Sequence, residues 1–590
     1  MNEKILGYLD NLTDAYQEPV QRLTGLTRNP KDIIRTVEFY TSNQYISGNK
    51  DELGRDKPFY NVCNYRVTVA KTATDLDVKD IKFEPESLEF SLQTLMLNKE
   101  LFKYLKESGF SETLNDAGVT RPKYGGLLLK KSMIEGELKI DVVDWVNVDF
   151  DPSDVIGGAI IERFYMQPSE FSTKSDVWDN VPEVLEAHAK ANKNKPAKIE
   201  IVELSGEFPE TFDSEIEDGD VNKFKRMCFY IACVGKKKFL LYKEDQKESN
   251  FKYLAWEKVG NGLGRGIVES GFEAQWAIND TMISMRNAME LAGKVILSTT
   301  SKKVSGNAIT DVPSGHIFEL EDNKTIDSLN LLPSAFPQFQ NNIDIWNMQF
   351  DKDSSTYAAN TGEAPTAGTP YSQTALLNQV ANSPFEYQRE VFGIFLNEVL
   401  NDWILPHVKK RILKDHNLVA DYSDEELEVL DEAISNVHAN KQFVQDVLND
   451  KMDMTQEDID MGKDEIKSSL MKKYGTKREI KIPAKFLDIE GKITANITGE
   501  LKNKAAMLQS LDNVFAKLIS TYNPQTGQFA ALEDPTLSKV FGTIMEMAGI
   551  PISFAQLRGS KAPAQPMQMQ GQVAPTAPDM SALSMAKPMA

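Results

Sequence analysis

Four aspartates crowd the stretch VVDWVNVDFDPSDVIGG: Asp144, Asp149, Asp151 and Asp154. Carboxylates gathered this closely have the oxygen chemistry that Mg²⁺ or Ca²⁺ prefers. A calcium loop also needs a glycine and a later glutamate at fixed offsets, and both are missing here. Alternation accounts for the rest. Val146, Val148 and Phe150 share one face of a half-buried strand, and Asn147, Asp149 and Asp151 share the other. Asp151, Pro152, Ser153 and Asp154 then read as a turn.

GNGLGRG, from Gly260 to Gly266, is the second candidate, because glycine lets backbone N–H groups approach an anion. No Lys-Ser/Thr follows it and its spacing is not GxGxxG. The expectation is a flexible joint that turns a β-rich domain into a long helix. His188, His316, His407, His416 and His438 are expected in solvent-type surroundings, and none accompanies a GxSxG or a recognisable cysteine nucleophile. Cys228 and Cys233 are an odd number apart, so a strand turns them to opposite faces; Cys63 is distant and no CxxC exists. No disulfide framework, zinc site, cofactor or catalytic constellation is expected. Lys236–Lys238 and Lys472–Lys473 read as solvated turns. Lys302 and Lys303 fall at the tip of an insertion between two helices, where they form a plausible docking surface.

The elements that would position these residues follow from periodicity. The 590-residue chain has 41 % hydrophobic and 26 % charged residues, a composition able to bury a sizeable core. Its net charge of −21 argues against coating DNA or an anionic membrane by charge. Its longest apolar run, Met227–Val234, is far short of the roughly 20 residues of a spanning helix. Ile33, Val37 and Tyr40 have helical spacing. Strand patterns dominate from Gly125 to about Tyr242, with turns at Glu135-Gly136 and Gly235-Lys236 and a short helix in PEVLEAHAKANK. Ala274, Ile278, Met282, Met285, Met289 and Ala292 then form one apolar helical stripe, with Glu269, Glu273 and Asp280 opposite. A β-type insertion follows. Helical spacing returns at Phe339, Ile343, Trp346 and Phe350, and again over Leu376–Leu413, where Pro384 and Pro406 predict kinks. Between those last two helices lies AANTGEAPTAGTPYSQTA, small and nearly uncharged. Capping boxes at Ser423/Glu426 and Thr455/Asp458, a strand-like REIKIPAKFLDIEGKITANIT and two more helices complete the pattern, before a Pro-, Gln- and Met-rich tail that reads as disordered.

This order resembles the portal proteins of tailed bacteriophages. Three local stretches are similar to that family: VEFYTSNQYISGN followed by RDKPFYNVCNYRVTV, with the family's Arg-Pro pair spread as Arg55 and Pro58; VDWVNVDFDPSD, a strand ending in Asp-Pro; and GRGIVESGFEAQWAIND, with Gln275 and Asn279 at Gln-x-x-x-Asn positions. The resemblance covers about Val37 to Ile519. It implies an α+β, multidomain, ring-forming portal-type fold, podovirus-like. Its parts would be an N-terminal helical segment (1–50), α/β wing (51–263), first stem helix (264–294), clip (295–333), second stem helix (334–358), channel loop (359–372), long kinked wing helix (373–415), a helical region with a strand segment (416–500), helical crown (501–560) and tail (561–590).

The same resemblance implies a ring of about twelve copies at one capsid vertex. Double-stranded DNA would be packaged through it by the terminase large subunit, which supplies ATP hydrolysis, and later ejected. Major capsid and scaffolding proteins and head-tail adaptors would be its other partners, in the virion and, during assembly, in the host cytoplasm. No membrane would be involved and the chain would not be an enzyme. Asn360, Thr361, Gly362, Glu363, Thr366, Gly368 and Thr369 would form the channel loop; Glu269, Glu273, Asp280 and Glu290 would line the stem; Lys302 and Lys303 would dock terminase or adaptor. Arg265 to Tyr371 holds 7 basic and 13 acidic residues, so acidity multiplied around a ring would repel phosphate and keep DNA moving. Two alternatives remain: a structural ring or scaffold without a DNA channel, and a carboxylate metal-dependent enzyme built on Asp149 and Asp151.

Overall fold

The computed structural model describes residues 2–18, 20–21, 27–51, 54–85, 91–134, 136–192, 197–212, 223–292, 296–299, 326–329, 336–357, 371–412, 417–421, 427, 430–432, 434–436, 456–474, 477–481, 491–495, 522–523 and 528–529. The chain divides into two compact units, residues 1–497 and 498–590. The second contributes one short antiparallel pair, Tyr522 opposite Phe529 and Asn523 opposite Gln528. Residues 359–370 of the expected channel loop (359–372), Lys302 and Lys303, the Ser423/Glu426 box, the helices expected over 501–560 and the tail lie outside the described residues, while Tyr371 and Ser372 open a helix and not a loop.

The first unit is mixed α and β with several antiparallel sheets. Its leading elements are α1 (Asn2–Ala15), β1 (Val20–Gln21), β2 (Thr27–Arg28), α2 (Pro30–Thr41), α3 (Cys63–Ala73), β3 (Ile81–Pro85), α4 (Ser91–Glu107) and α5 (Phe110–Tyr124). In α2 the Asn29 side chain caps the Lys31 N–H at 3.0 Å and Pro30 supplies a preset φ, while Ile33, Ile34, Val37 and Tyr40 point inward. The helix stops after Thr41, where Asn43 turns to φ 59°. The chain from there to Pro58 is therefore free to run as a strap.

Then come β4 (Gly126–Ile134), β5 (Glu137–Val142), β6 (Val148–Asp149), β7 (Ile160–Met166), α6 (Pro168–Ser172), α7 (Val181–Asn192), β8 (Ile199–Pro209), β9 (Phe224–Val234), β10 (Lys237–Asp245) and β11 (Phe251–Ala255). Strands β6 to β10 form one five-stranded antiparallel meander, and β11, β4 and β5 form a three-stranded sheet. Both expected hairpins are present, with Gly136 at φ 87° and Gly235 at φ 62°. The central strand β8 is buried on both faces. Ile199 and Ile201 meet Phe171, Val181 and Val184 below α6 and α7, while Val202 and Leu204 meet Ile5 and Leu9 of α1.

The remaining elements are α8 (Ile267–Ser270), α9 (Phe272–Ala292), β12 (Ile296–Thr299), β13 (Ile326–Leu329), α10 (Phe336–Ser354), α11 (Tyr371–Val399), α12 (Leu405–Ile412), β14 (Asn417–Asp421), α13 (Gln456–Tyr474), β15 (Lys477–Lys481) and β16 (Gly491–Ala495). Phe392, Phe395, Leu396, Val399 and Trp403 are buried as their spacing predicts, in a core shared with α4, α5, β4 and β5. Helix α11 runs through Pro384 without a break. The irregularity comes at Leu400–Ile404, a π turn in which the Leu405 N–H donates to the Leu400 carbonyl. Pro406 follows directly; it has no N–H and would crowd the carbonyl four residues back, and the wider turn relieves that. Asn397 and Asn401 then pair with the edge of β16: their Oδ1 atoms accept from Ala495 N–H at 2.7 Å and Ile493 N–H at 2.8 Å. The far edge of β16 pairs with β3, Ile81 opposite Ala495.

Candidate functional site: a two-helix hairpin welded to the body

Helices α9 and α10 pack antiparallel. At one end Gly271 lies against the Phe350 ring so closely that a Cβ there would overlap it. Farther along, Asn342 Nδ2 donates to Thr281 Oγ1 at 2.9 Å. The pairing continues beyond the helices, because β12 and β13 are antiparallel with Ile296 opposite Leu329. One hairpin therefore runs from Gly271 out through a β ribbon and back to Phe350. The α9 segment alone, 21 residues, spans about 30 Å.

The base of this hairpin is not the flexible joint expected from its glycines. Gly264 and Gly266 pack backbone to backbone on Gly125: a Cβ on Gly266 would stand 2.6 Å from the Gly125 nitrogen, and one on Gly264 would strike the Gly125 carbonyl oxygen. Glycine serves here for close approach, not freedom. Arg28 secures the crossing. Its guanidinium donates to the Leu263 carbonyl, to the Gly264 carbonyl at 2.7 Å and to both carboxylate oxygens of Glu269. On the other leg Arg66, 4 % exposed, donates to Asp351 Oδ1 at 2.6 Å and stacks over Phe350 with 4.3 Å to the ring centroid.

The strap runs along α9. Gln275, fully buried, accepts from the Val62 N–H at 3.0 Å and donates to the Tyr60 carbonyl at 2.6 Å, and Asn279 accepts from the Tyr60 N–H at 2.8 Å. Toward the other end of α9, Arg55 bonds Asn287 at 3.0 Å and Glu290, and Arg286 bonds the Asp56 carbonyl at 2.6 Å and Asp51 at 3.0 Å. Two segments singled out in the sequence, RDKPFYNVCNY and FEAQWAIND, are thus brought into direct contact by their backbone and amide groups.

The expected stem acids divide into two pairs. Glu269 is consumed by Arg28, and Glu290 is shared by Arg55 and Arg286, so neither presents a free charge. Glu273 and Asp280 are exposed and make no ion pair among the described residues, on a stripe with Trp276, Ser284 and Asn287. The apolar stripe opposite is buried at Ala274 and Ile278 and only partly covered at Met282 and Met285. It ends in solvent at Met289, 53 % exposed.

The aspartate cluster is structural, though not as a simple alternating strand. Trp145–Asn147 is a 3₁₀ turn capped by Asp144; Val146 is 50 % exposed, whereas Asp149 is 4 % exposed between Lys31 and Arg163. Asp151 caps the turn through the Ser153 N–H at 2.8 Å, and Asp154 accepts from Gly157 at 3.0 Å. Each carboxylate is engaged, and no group of three or more metal-type ligands occurs among the described residues. Two histidines are not in solvent. His188 packs under the five-stranded sheet, and His407 lies between Tyr104 and Glu137. His316, His416 and His438 lie outside the described residues. All three cysteines are free, Cys63 and Cys228 being buried.

Sequence reasoning passed over the polar clamps Arg28, Arg66 and Arg286, because a lone arginine carries no sign of its partner. Comparison with known proteins finds no family model that matches the chain and no match among curated proteins.

Proposed function

We propose that the chain is the subunit of a portal-type ring at a viral capsid vertex, through which double-stranded DNA is packaged and later released. The observation that carries this reading is the hairpin. An α+β body is welded at Gly125/Gly264/Gly266 to a two-helix stem that continues into a β ribbon, and the stem returns to a long, π-interrupted helix. A rigid stem suits a wall that must hold its shape while a stiff duplex passes. The two free acids of α9 and the excess of 13 acidic over 7 basic residues across Arg265–Tyr371 make a repulsive field for phosphate, so DNA is guided without being held. Terminase and adaptors would dock on the insertion between the two stem helices, the segment whose sequence holds Lys302 and Lys303. No helix among the described residues is long and apolar enough to cross a membrane.

Electron microscopy of the purified protein tests the reading. The expected image is a closed ring with a central hole wide enough for duplex DNA. A particle of one or two copies, or a ring with no hole, overturns it.

A further inference from the structure

The hairpin carries two exposed apolar features at one height. On α9, Trp276 is 60 % exposed beside a shallow cleft of about 400 Å³ that it lines with Tyr40, Phe272 and Glu273. On α10, Ile345 is 54 % and Met348 58 % exposed. The contacts between the helices set the level. Trp276 is midway between Gly271 and Thr281, and residue 346 is midway between Phe350 and Asn342, the residues those two touch. Ile345 and Met348 therefore stand within about 3 Å of Trp276 along the hairpin axis, at 1.5 Å rise per residue.

Trp276 and Met348 also face apart. At about 100° per residue, Trp276 is turned about 140° from Thr281, the α9 position that touches α10, and it lies five residues past Gly271, the turn residue just before α9 that meets Phe350. Met348 is turned about 160° from Phe350 and about 120° from Asn342 by the same count. Charge follows the same division. Glu273 lies one turn from Trp276, Lys352 lies one turn from Met348, and neither has an ion-pair partner among the described residues. Asp344, also on α10, accepts from Gln340 at 2.9 Å.

We infer that this is a self-complementary pair of surfaces: Ile345 and Met348 of one copy seat in the Tyr40–Phe272–Trp276 cleft of the next, and Lys352 reaches Glu273. The occupant is a second copy because a knob and its cleft lie on opposite flanks at equal height. A rotation about an axis parallel to the hairpin superposes one on the other and, repeated, closes a ring. A methionine thioether against aromatic edges adds favourable contact to the apolar burial. Glu273 is then a seam residue, paired across the contact, and Asp280 is the acid of α9 that stays unpaired among the described residues. The inference rests on the ring reading and gives that ring its contact.

The test uses the full chain with Cys233→Ser, leaving only the two buried cysteines. Adding Trp276→Cys and Met348→Cys together should give, on mild oxidation, a ladder of covalent multimers that neither single substitution gives. Trp276→Asp should lower the mass by light scattering from the ring to one subunit with an unchanged circular dichroism spectrum. If the parent chain forms rings, the double-cysteine chain gives no ladder and Trp276→Asp still assembles, the inference is overturned and the ring reading stands. If the parent chain is a monomer at every concentration, both fall.

Discussion

Gln275 holds Tyr60 by its backbone: the side-chain amide donates to the Tyr60 carbonyl at 2.6 Å while its oxygen accepts from Val62 two residues on. A helix thereby satisfies an extended strap much as a neighbouring strand would. The same device recurs where Asn397 and Asn401 take the edge of β16. Both use amides spaced four apart, the spacing that places two side chains on one helix face.

Replacing Gln275 by Leu keeps the volume and leaves the buried Val62 N–H and the part-buried Tyr60 carbonyl without this partner. The expected loss is about 2–4 kcal/mol in urea unfolding, roughly 1–3 kcal/mol for the buried N–H and about 1 kcal/mol for the carbonyl, which water can partly reach. Hydrogen exchange should quicken at Tyr60 and Val62. Gln275→Leu with unchanged stability would show that the strap contributes nothing to the stem.

The weld predicts an asymmetry among glycines. Gly264→Ala and Gly266→Ala force a methyl into the Gly125 backbone and should each lower stability by more than about 3 kcal/mol, in the range of severe overpacking. Gly7→Ala, in a helix with nothing within 4 Å of the new atom, should be neutral or stabilising by up to about 1 kcal/mol. Thermal melts of the three variants decide between a rigid crossing and a hinge.

A buried ionic triad joins the two sheets of the body: Lys130 Nζ lies 2.6 Å from both Glu162 and Glu203, and Glu203 is 2 % exposed. Burial pushes the Glu162 carboxyl above its usual range, and Lys130 only partly pulls it back. A proton bound more tightly in the folded state gives stability that is complete below the unfolded pKa and is lost as pH rises through the folded one. Glu162→Gln should therefore flatten the pH dependence of unfolding on the mildly acid side and retain its stability at neutral pH. Lys130→Met, which leaves two buried carboxylates, should cost about 3–5 kcal/mol at neutral pH and recover in part on acidification.

If the acidity of the stem serves passage, the assembled protein should not retain linear duplex DNA at physiological ionic strength in a filter-binding measurement. Asp280→Lys combined with Asp344→Lys should produce retention that weakens steeply with added salt, as released counterions require. Retention by the parent chain stronger than by the variant would reverse the proposed role of the acids.

Much of the local structure was legible in residue order. The stripe of Ala274 and Ile278, the 3.6-residue rhythm of Phe392 to Trp403 and the glycine turns at Gly136 and Gly235 depend on neighbours within one or two turns of chain, so spacing alone reveals them. Other features depend on a partner far along the chain. Gly264 reads equally as a free joint or a close crossing until Gly125 is laid against it, and Glu269 reads as a free acid until Arg28 reaches it. His188 lost its expected solvent because its helix packs on strands that follow it in the chain. The residue pattern by itself determined the order of helices and strands and the excess of negative charge. Only the tertiary structure decided which polar groups are buried and paired, because burial and pairing are settled by segments that meet in space and not by those adjacent in sequence.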